Sequence, residues 1–489
     1  MDNTQLIILS SIILPFIGGV SNITFHRFEN VRDILTLVIS ILTFVCVLLI
    51  VIKFNSDDIS DFSLLTVMPG LEIAFHVEPL GLLFATVASG LWIVTHIYAI
   101  GYMRGNRESH HARFFACFCI AIGTTLALAF SKNLFTLFIF YEVLTISTFP
   151  LVAHKGTREA LFGAKTYLTI LLGTSVGLQL IAIISVYIFA GTLDFSNQGI
   201  LVGKVTNFQA SILLALFAFG IGKAALMPFH KWLPAAMVAP TPVSALLHAV
   251  AVVKAGVFTI LKVGVYIFGI DFLKDTGASN WLIWLACFSI LSASIVAMTK
   301  DNLKARLAYS TISQLSYITL GLALANSLGV LGGALHIATH ALGKITLFMC
   351  AGSIYVATHR TKVSELDGFG RIMPITFGAF LIGAVSIIGL PPLGGSWSKW
   401  LLVLGAVEAD QIFVVAAFMI SSVLNIVYLL PIISRAFFIL PANSQGGDTV
   451  EIKEAPFLCW MPTVLTATGC LILFFYSGDL YNFLIPITN

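Results

Sequence analysis

Charge is what this sequence has least of. Only 10% of its 489 residues are Asp, Glu, Lys or Arg, against about 25% in a soluble domain. A water-facing surface cannot be built from so few, and 58% hydrophobic side chains with a mean hydropathy of +0.98 say the same. Cytosolic enzyme, nucleic-acid binder and disordered scaffold are excluded. The net charge of +3 is too small to imply nucleic acid or an acidic partner. Cysteine is sparse too: Cys46, Cys117, Cys119, Cys287, Cys350, Cys459 and Cys470 all sit in apolar runs, with no zinc or iron–sulfur spacing. They read as small buried hydrophobes. There is no Gly-rich dinucleotide loop and no phosphate loop. No metal and no cofactor is expected, so in a redox assembly this chain would not hold the redox centre.

What remains is length of apolar sequence. A bilayer core takes about 20 apolar residues per helix, and the chain offers fourteen such stretches: roughly 4–20, 31–52, 79–100, 114–130, 134–153, 166–190, 208–227, 241–266, 280–298, 307–325, 328–356, 373–403, 411–434 and 456–477. The expected fold is an all-α polytopic membrane protein embedded in lipid. The first stretch is not read as a cleavable signal, because Met1-Asp2-Asn3 has no basic region ahead of it and no small-residue cleavage site follows.

Numbering the loops in order, odd loops carry seventeen Lys and Arg (among them Arg27, Arg32, Arg104, Lys155, Lys304 and Arg435), whereas even loops carry four: Lys53, Lys132, Lys204 and Lys274. The positive-inside rule puts odd loops in the cytoplasm and both termini outside. Five lysines are left inside spans: Lys223, Lys254, Lys262, Lys344 and Lys399. Lys262 is near a predicted helix end and is expected to snorkel to the interface. The other four have no such escape, and an ammonium at the bilayer centre costs at least about 2.5–3.5 kcal/mol. Beside them stand Glu142 in span 5 and His248, His336 and His340. Titratable groups spread through a bundle interior are what a proton relay requires. His336, His340 and Lys344 recur at i, i+4 and i+8 on one helix face over about 12 Å of rise. His248 and Lys254 point to different sides of span 8, so that span can join two compartments.

Two spans carry breaks with a lysine beside them. Span 7 ends Lys223-Ala-Ala-Leu-Met-Pro228, and span 12 contains Gly389-Leu390-Pro391-Pro392-Leu393-Gly394-Gly395 ahead of Lys399. Proline frees carbonyls that are tolerated at membrane depth only beside protein or water. A matched pair of broken spans an odd number apart is the pointer to inverted-topology repeats with transport sites at the breaks.

On these residues the chain resembles the antiporter-like membrane subunits shared by respiratory complex I and the multi-subunit Mrp cation/proton antiporters. The resemblance runs over about residues 70–435 and is strongest at Lys223–Phe258, KAALMPFHKWLPAAMVAPTPVSALLHAVAVVKAGVF. Further matches are Thr95–Met103, Asp301–Gln314 and His336–Lys344. It implies a Glu142–Lys223 pair, a central set of His248, Lys254, His336, His340 and Lys344, and an exit at Lys399. It also implies two inverted five-helix repeats: spans 4–8 over 111–270 and spans 9–13 over 271–440, preceded by spans 1–3 (1–110) and followed by span 14 (441–489). Tyr141-Glu142 replaces the family's Trp-Glu, and Gly394-Gly395-Ser396-Trp397 replaces its Pro-Gly-Phe. The implied role is a proton-translocating subunit of an ion-pumping complex in the bacterial inner membrane, with other membrane subunits as partners. Three parents stay open: an Mrp-type sodium or potassium/proton antiporter (with this chain like the fourth Mrp subunit), an NADH:quinone oxidoreductase-like pump, or an energy-coupled inorganic-carbon uptake system.

The orientation is checked by labelling single introduced cysteines with a membrane-impermeant maleimide. Lys204→Cys and Lys274→Cys should react from outside the cell, and Arg107→Cys and Lys362→Cys only after permeabilisation.

Overall fold

The computed structural model describes residues 2–56, 61–68, 70–246, 251–439 and 452–488. Helix starts follow side-chain chemistry: Asp2, Asn133, Thr157, Thr206, Asn302 and Asn326 each accept a backbone N–H from the first turn they precede. Pro79 and Pro374 open their helices at the position where a missing N–H costs nothing.

The chain begins with α1 (Asn3–Thr24) and α2 (Glu29–Ser56), whose outward faces, Ile13, Ile17, Ile34, Ile41 and Val45 among them, are exposed. An antiparallel hairpin of β1 (Phe62–Met68) and β2 (Leu71–Phe75) follows, with Phe62 opposite Phe75. This hairpin is a departure from the all-helical expectation. Next come α3 (Pro79–Gly105), α4 (His111–Ala129), α5 (Leu134–Val152), and α6 (Arg158–Thr174), which runs through a π-turn at Ser175–Gln179 into α7 (Leu180–Ala190). Then α8 (Asn207–Gly220) stops at a 3-10 turn, Gly222–Ala224, and the chain passes through α9 (Trp232–Ala235) and α10 (Thr241–Ala245) to α11 (Val252–Val263), a π-turn and α12 (Ile270–Thr276).

The second half comprises α13 (Asn280–Thr299), α14 (Leu303–Ala323), α15 (Ser327–Thr358), α16 (Phe369–Ile372), α17 (Pro374–Ile388), α18 (Gly395–Glu408), α19 (Ile412–Phe438), α20 (Phe457–Phe475) and α21 (Ser477–Leu484).

Among the described residues ten helices are long and apolar enough to cross a membrane in one piece, or eleven if the pair around the 78° bend between Phe268 and Ile270 counts as one. The expected count of fourteen, two of them broken, is not reached by the uninterrupted apolar helices among the described residues. Spans 7 and 12 are broken at the expected places. α10 and α11 lie within the expected span 8 (241–266), and residues 247–250 between them are outside the described residues. Span 10 corresponds to α14, which is long enough but too polar to count. Its face from Leu307 to Ala323 is buried almost throughout, and a helix shielded from lipid by its neighbours has no need to be hydrophobic. α14 and α15 form the centre, surrounded by α3, α11, α13, α17, α18 and α20. His248 and the expected boundary at 440/441 lie outside the described residues.

At the span 12 break, α17 ends at Gly389, and α18 starts so close to it that a Cβ on Gly395 would lie 1.9 Å from the Ser386 carbonyl oxygen. Gly395→Ala should force the two segments apart and cost on the order of 1–3 kcal/mol, seen as a lower melting temperature in detergent. Gly378→Ala, where a Cβ meets open space, should leave that temperature unchanged.

Candidate functional site: a buried lysine–histidine axis

Lys223 sits in the 3-10 turn that ends α8 and is fully buried. Its Nζ donates to the Tyr141 carbonyl at 2.8 Å and to Thr145 Oγ1 at 2.5 Å, and its backbone N–H donates to the Tyr141 hydroxyl at 3.1 Å. One turn of α5 thus wraps the lysine, with the Tyr141 ring beneath the ammonium. Trp232 Nε1 donates to the Gly222 carbonyl at 2.9 Å, which also accepts the Ala225 N–H within the turn, so the indole braces the segment that carries Lys223. Glu142 follows Tyr141 on the same helix. Both of its carboxylate oxygens are buried with no hydrogen-bond partner, and among the described residues it makes no ion pair with Lys223 within 4 Å. The implied Glu142–Lys223 contact is therefore open here. The reason is local: the lysine takes neutral acceptors from the residues flanking the acid.

α11 packs on the back of this turn so tightly that a Cβ on Gly256 would lie 2.4 Å from the Lys223 carbonyl carbon. Two residues earlier on α11, Lys254 is fully buried, and its Nζ meets His340 Nδ1 at 2.5 Å. From there the groups are contiguous. His340 stacks on His336 with ring centroids 5.7 Å apart, and His336 stacks on Tyr317 at the same distance. His336 Nδ1 lies 2.9 Å from Ser398 Oγ, beside Lys399. Lys399 donates to the Ile388 carbonyl at 3.0 Å, and its ammonium lies over Tyr317. That carbonyl is the last of α17, freed by the Pro391-Pro392 break, so the proline-and-lysine pairing has a direct structural meaning. Lys399 borders a cavity of about 660 Å³ lined by Leu390, Pro391, Trp397, Trp400 and Phe474, with both tryptophans outward-facing.

Lys344 shares the α15 face with the histidines but leads elsewhere. It donates to Ser310 Oγ at 2.6 Å and to the Leu307 carbonyl at 3.2 Å; Ser310 also accepts from the Tyr428 hydroxyl at 2.8 Å, and Tyr428 bonds Asn425. The expected linear order through Lys344 to Lys399 is in fact a fork after His340.

Sequence reading missed several groups. Lys262 does not snorkel: it is fully buried, ion-paired to Glu78 at 2.7 Å, and bonded to the Ser131 carbonyl at 2.7 Å. Proximity to a predicted helix end is misleading here because α11 turns inward against the start of α3. Glu78, immediately before Pro79, is the available signal. Arg32, counted with the loop cations, is buried in α2 and paired with Asp33, which also holds Arg104. Two fully buried glutamines, Gln179 in the π-turn beside the span 7 break and Gln314 in α14, have no partner for either amide atom among the described residues. Among the described residues no three His, Cys, Asp or Glu side chains converge as metal ligands would.

The family described as NADH:quinone oxidoreductase/Mrp antiporter, TM, matches residues 131–425, more than half of the chain, and the N-terminus of complex I chain 5 matches residues 68–115. The chain belongs to the NADH:quinone oxidoreductase/Mrp antiporter family. It is a multi-pass, antiporter-like membrane subunit of that kind. It is 34% identical over 434 residues to NADH-quinone oxidoreductase subunit N of Desulforudis audaxviator (strain MP104C), covering 84% of this chain and 83% of that one. Over 448 residues it is 30% identical to a Na(+)/H(+) antiporter subunit of Alkalihalophilus pseudofirmus, covering 84% of this chain but 53% of the other. It likewise spans about half the length of chain 5 of the Synechocystis NAD(P)H-quinone oxidoreductase, at 32% identity. The fold is that of a chain in the archaeal membrane-bound sulfane sulfur reductase (TM-score 0.86, 22% identity, 99% and 96% covered) and of one in the Mrp complex of Dietzia sp. DQ12-45-1b (0.83, 20%, 98% and 97%).

The buried Glu78–Lys262 pair generates a stability prediction for this family member. Lys262→Met leaves Glu78 as an uncompensated buried carboxylate and should destabilise by about 3–5 kcal/mol. The double variant Glu78→Gln with Lys262→Met should recover most of that loss in thermal unfolding.

Proposed function

We propose that this chain is a proton-translocating subunit of a multi-subunit ion-pumping complex in the bacterial cytoplasmic membrane, with odd loops in the cytoplasm and both termini outside. The observation that carries the reading is the buried run Lys254–His340–His336, with His336 bonded to Ser398 and stacked on Tyr317, over which the Lys399 ammonium lies at the broken helix of the second half. Lys254 and His340 are hydrogen-bonded, ring stacks link His340, His336 and Tyr317, and the Lys399 ammonium meets the far side of that chain at Tyr317.

Lys223 and Glu142 form the input. An ammonium buried beside a carboxylate holds its proton, and one buried without a counter-charge releases it far more readily. The open arrangement, with Glu142 unpartnered and Lys223 on neutral oxygens, is the releasing state of this toggle. Closing the pair reloads the lysine, and a neighbouring membrane subunit that moves Glu142 supplies the drive. Released protons pass by way of His248 and Lys254 to the central histidines, and leave through Lys399 or the Lys344 branch. Pro228, Pro391, Pro392, Gly394 and Gly395 keep the two lysine-bearing breaks open.

For the parent complex, we read the chain as an Mrp-type subunit resembling the fourth Mrp subunit, exchanging protons for sodium or potassium. A pump subunit of a quinone oxidoreductase-like complex is the second reading, favoured by the near full-length similarity to a subunit N. Sodium-dependent proton flux in vesicles supports the first; flux that answers to an electron donor and ignores sodium supports the second. In either complex, Lys223→Ala and Glu142→Ala should assemble at normal abundance yet lose translocation, measured by a pH-sensitive dye in inverted vesicles. Wild-type flux in either variant would refute the relay.

A further inference from the structure

One buried residue stands between the two sets of contacts that follow His340 along α15. α14 and α15 run antiparallel, joined by the short turn 324–326. Two contacts fix their register: Ser310 meets Lys344, and Tyr317 stacks on His336. Moving one turn from Ser310 along α14 reaches Gln314, and moving one turn back from Lys344 along α15 reaches His340. Ser310, Gln314 and Tyr317 are spaced i, i+4 and i+7, so they share the α14 face turned to α15. Gln314 therefore stands level with His340, between the branch that leads to Lys344 and the branch that leads to Lys399.

Its amide is fully buried, and among the described residues neither Nε2 nor Oε1 has a hydrogen-bond partner. Buried amides are normally satisfied by protein or by an ordered water. An amide buried here without a protein partner among the described residues has the capacity to hold one ordered water. One amide supplies both a donor and an acceptor, so it can hold a water that donates to one branch while accepting from the other.

We propose that Gln314 is a positioning residue of the relay, holding the water that joins the Lys254–His340 pair to the Lys344–Ser310–Tyr428 branch. Tyr317, one turn further on, plays no part in this link and serves the Lys399 branch alone. The inference rests on the proton-relay reading, and its test separates the two.

The test uses the assembled complex in inverted vesicles, with Gln314→Leu, Gln314→Asn and Lys254→Met compared with wild type. Gln314→Leu removes the water site but keeps the volume and the helix. The proposal expects normal assembly, an unchanged or raised melting temperature, and proton flux lowered roughly tenfold or more. Gln314→Asn, which keeps the amide one methylene back, should retain a measurable share of that flux and show a larger solvent deuterium isotope effect than wild type. A purely structural glutamine differs in the flux alone: Gln314→Leu then assembles, holds its melting temperature, and transports at the wild-type rate. If Lys254→Met abolishes flux while Gln314→Leu does not, the role of Gln314 is overturned and the relay stands. If neither variant affects flux, the relay itself is wrong and the inference falls with it.

Discussion

Five ammonium groups held inside a bundle that faces lipid are the constraint on which this architecture depends. Each needs oxygen or nitrogen acceptors within about 3 Å, because the hydrocarbon around the bundle supplies none. The structure meets that need from local sources. Lys223 takes a helix carbonyl and a threonine, Lys344 a helix carbonyl and a serine, Lys399 the last carbonyl of α17, Lys254 a histidine, and Lys262 a glutamate and a carbonyl. Among the described residues only one of the five has a carboxylate partner within ion-pair distance. The other four rest on neutral acceptors, which is the condition the proposed relay requires. A full counter-charge at each would make a stable core and a poor conductor.

The helix breaks follow from the same requirement. A continuous helix spends its carbonyls mostly on its own N–H groups, and Lys223 and Lys344 share such carbonyls with them. Stopping α17 at Ile388 releases a carbonyl at depth that Lys399 takes outright. The polar centre, α14 and α15, is then shielded by apolar helices that meet the lipid. α14 fails the ordinary test for a membrane span for this reason, since its neighbours and not lipid are its surroundings.

Much of this is legible from the residues alone. Scarce charge makes each buried lysine conspicuous, and the adjacency of Lys399 to the Gly389–Gly395 break, or of Lys223 to Pro228, correctly marks where helices stop. The three-residue set His336, His340 and Lys344 falls on one face as expected, because helical periodicity is a local property. Lys262 is easily misread because its distance from a helix end says nothing about whether that end faces lipid or protein. Glu142 and Lys223 are expected to touch, but the rotamer that sends the ammonium to Thr145 depends on how α8 lies against α5. Gln314 attracts no notice in the sequence, since a glutamine in a polar helix looks ordinary until its neighbours prove to be out of reach.

The sequence by itself determined membrane residence, the rough position of the apolar stretches and the breaks in spans 7 and 12, because hydropathy and proline chemistry act over a few residues. Tertiary structure decided which charged groups touch, that Lys344 and Lys399 make separate sets of contacts, that Lys262 is buried against Glu78, and that one stretch is too polar to meet lipid. Those outcomes depend on contacts between segments as far apart as residues 78 and 262 or 254 and 340. Burial between helices is a property of the packed bundle, and no window of sequence contains it.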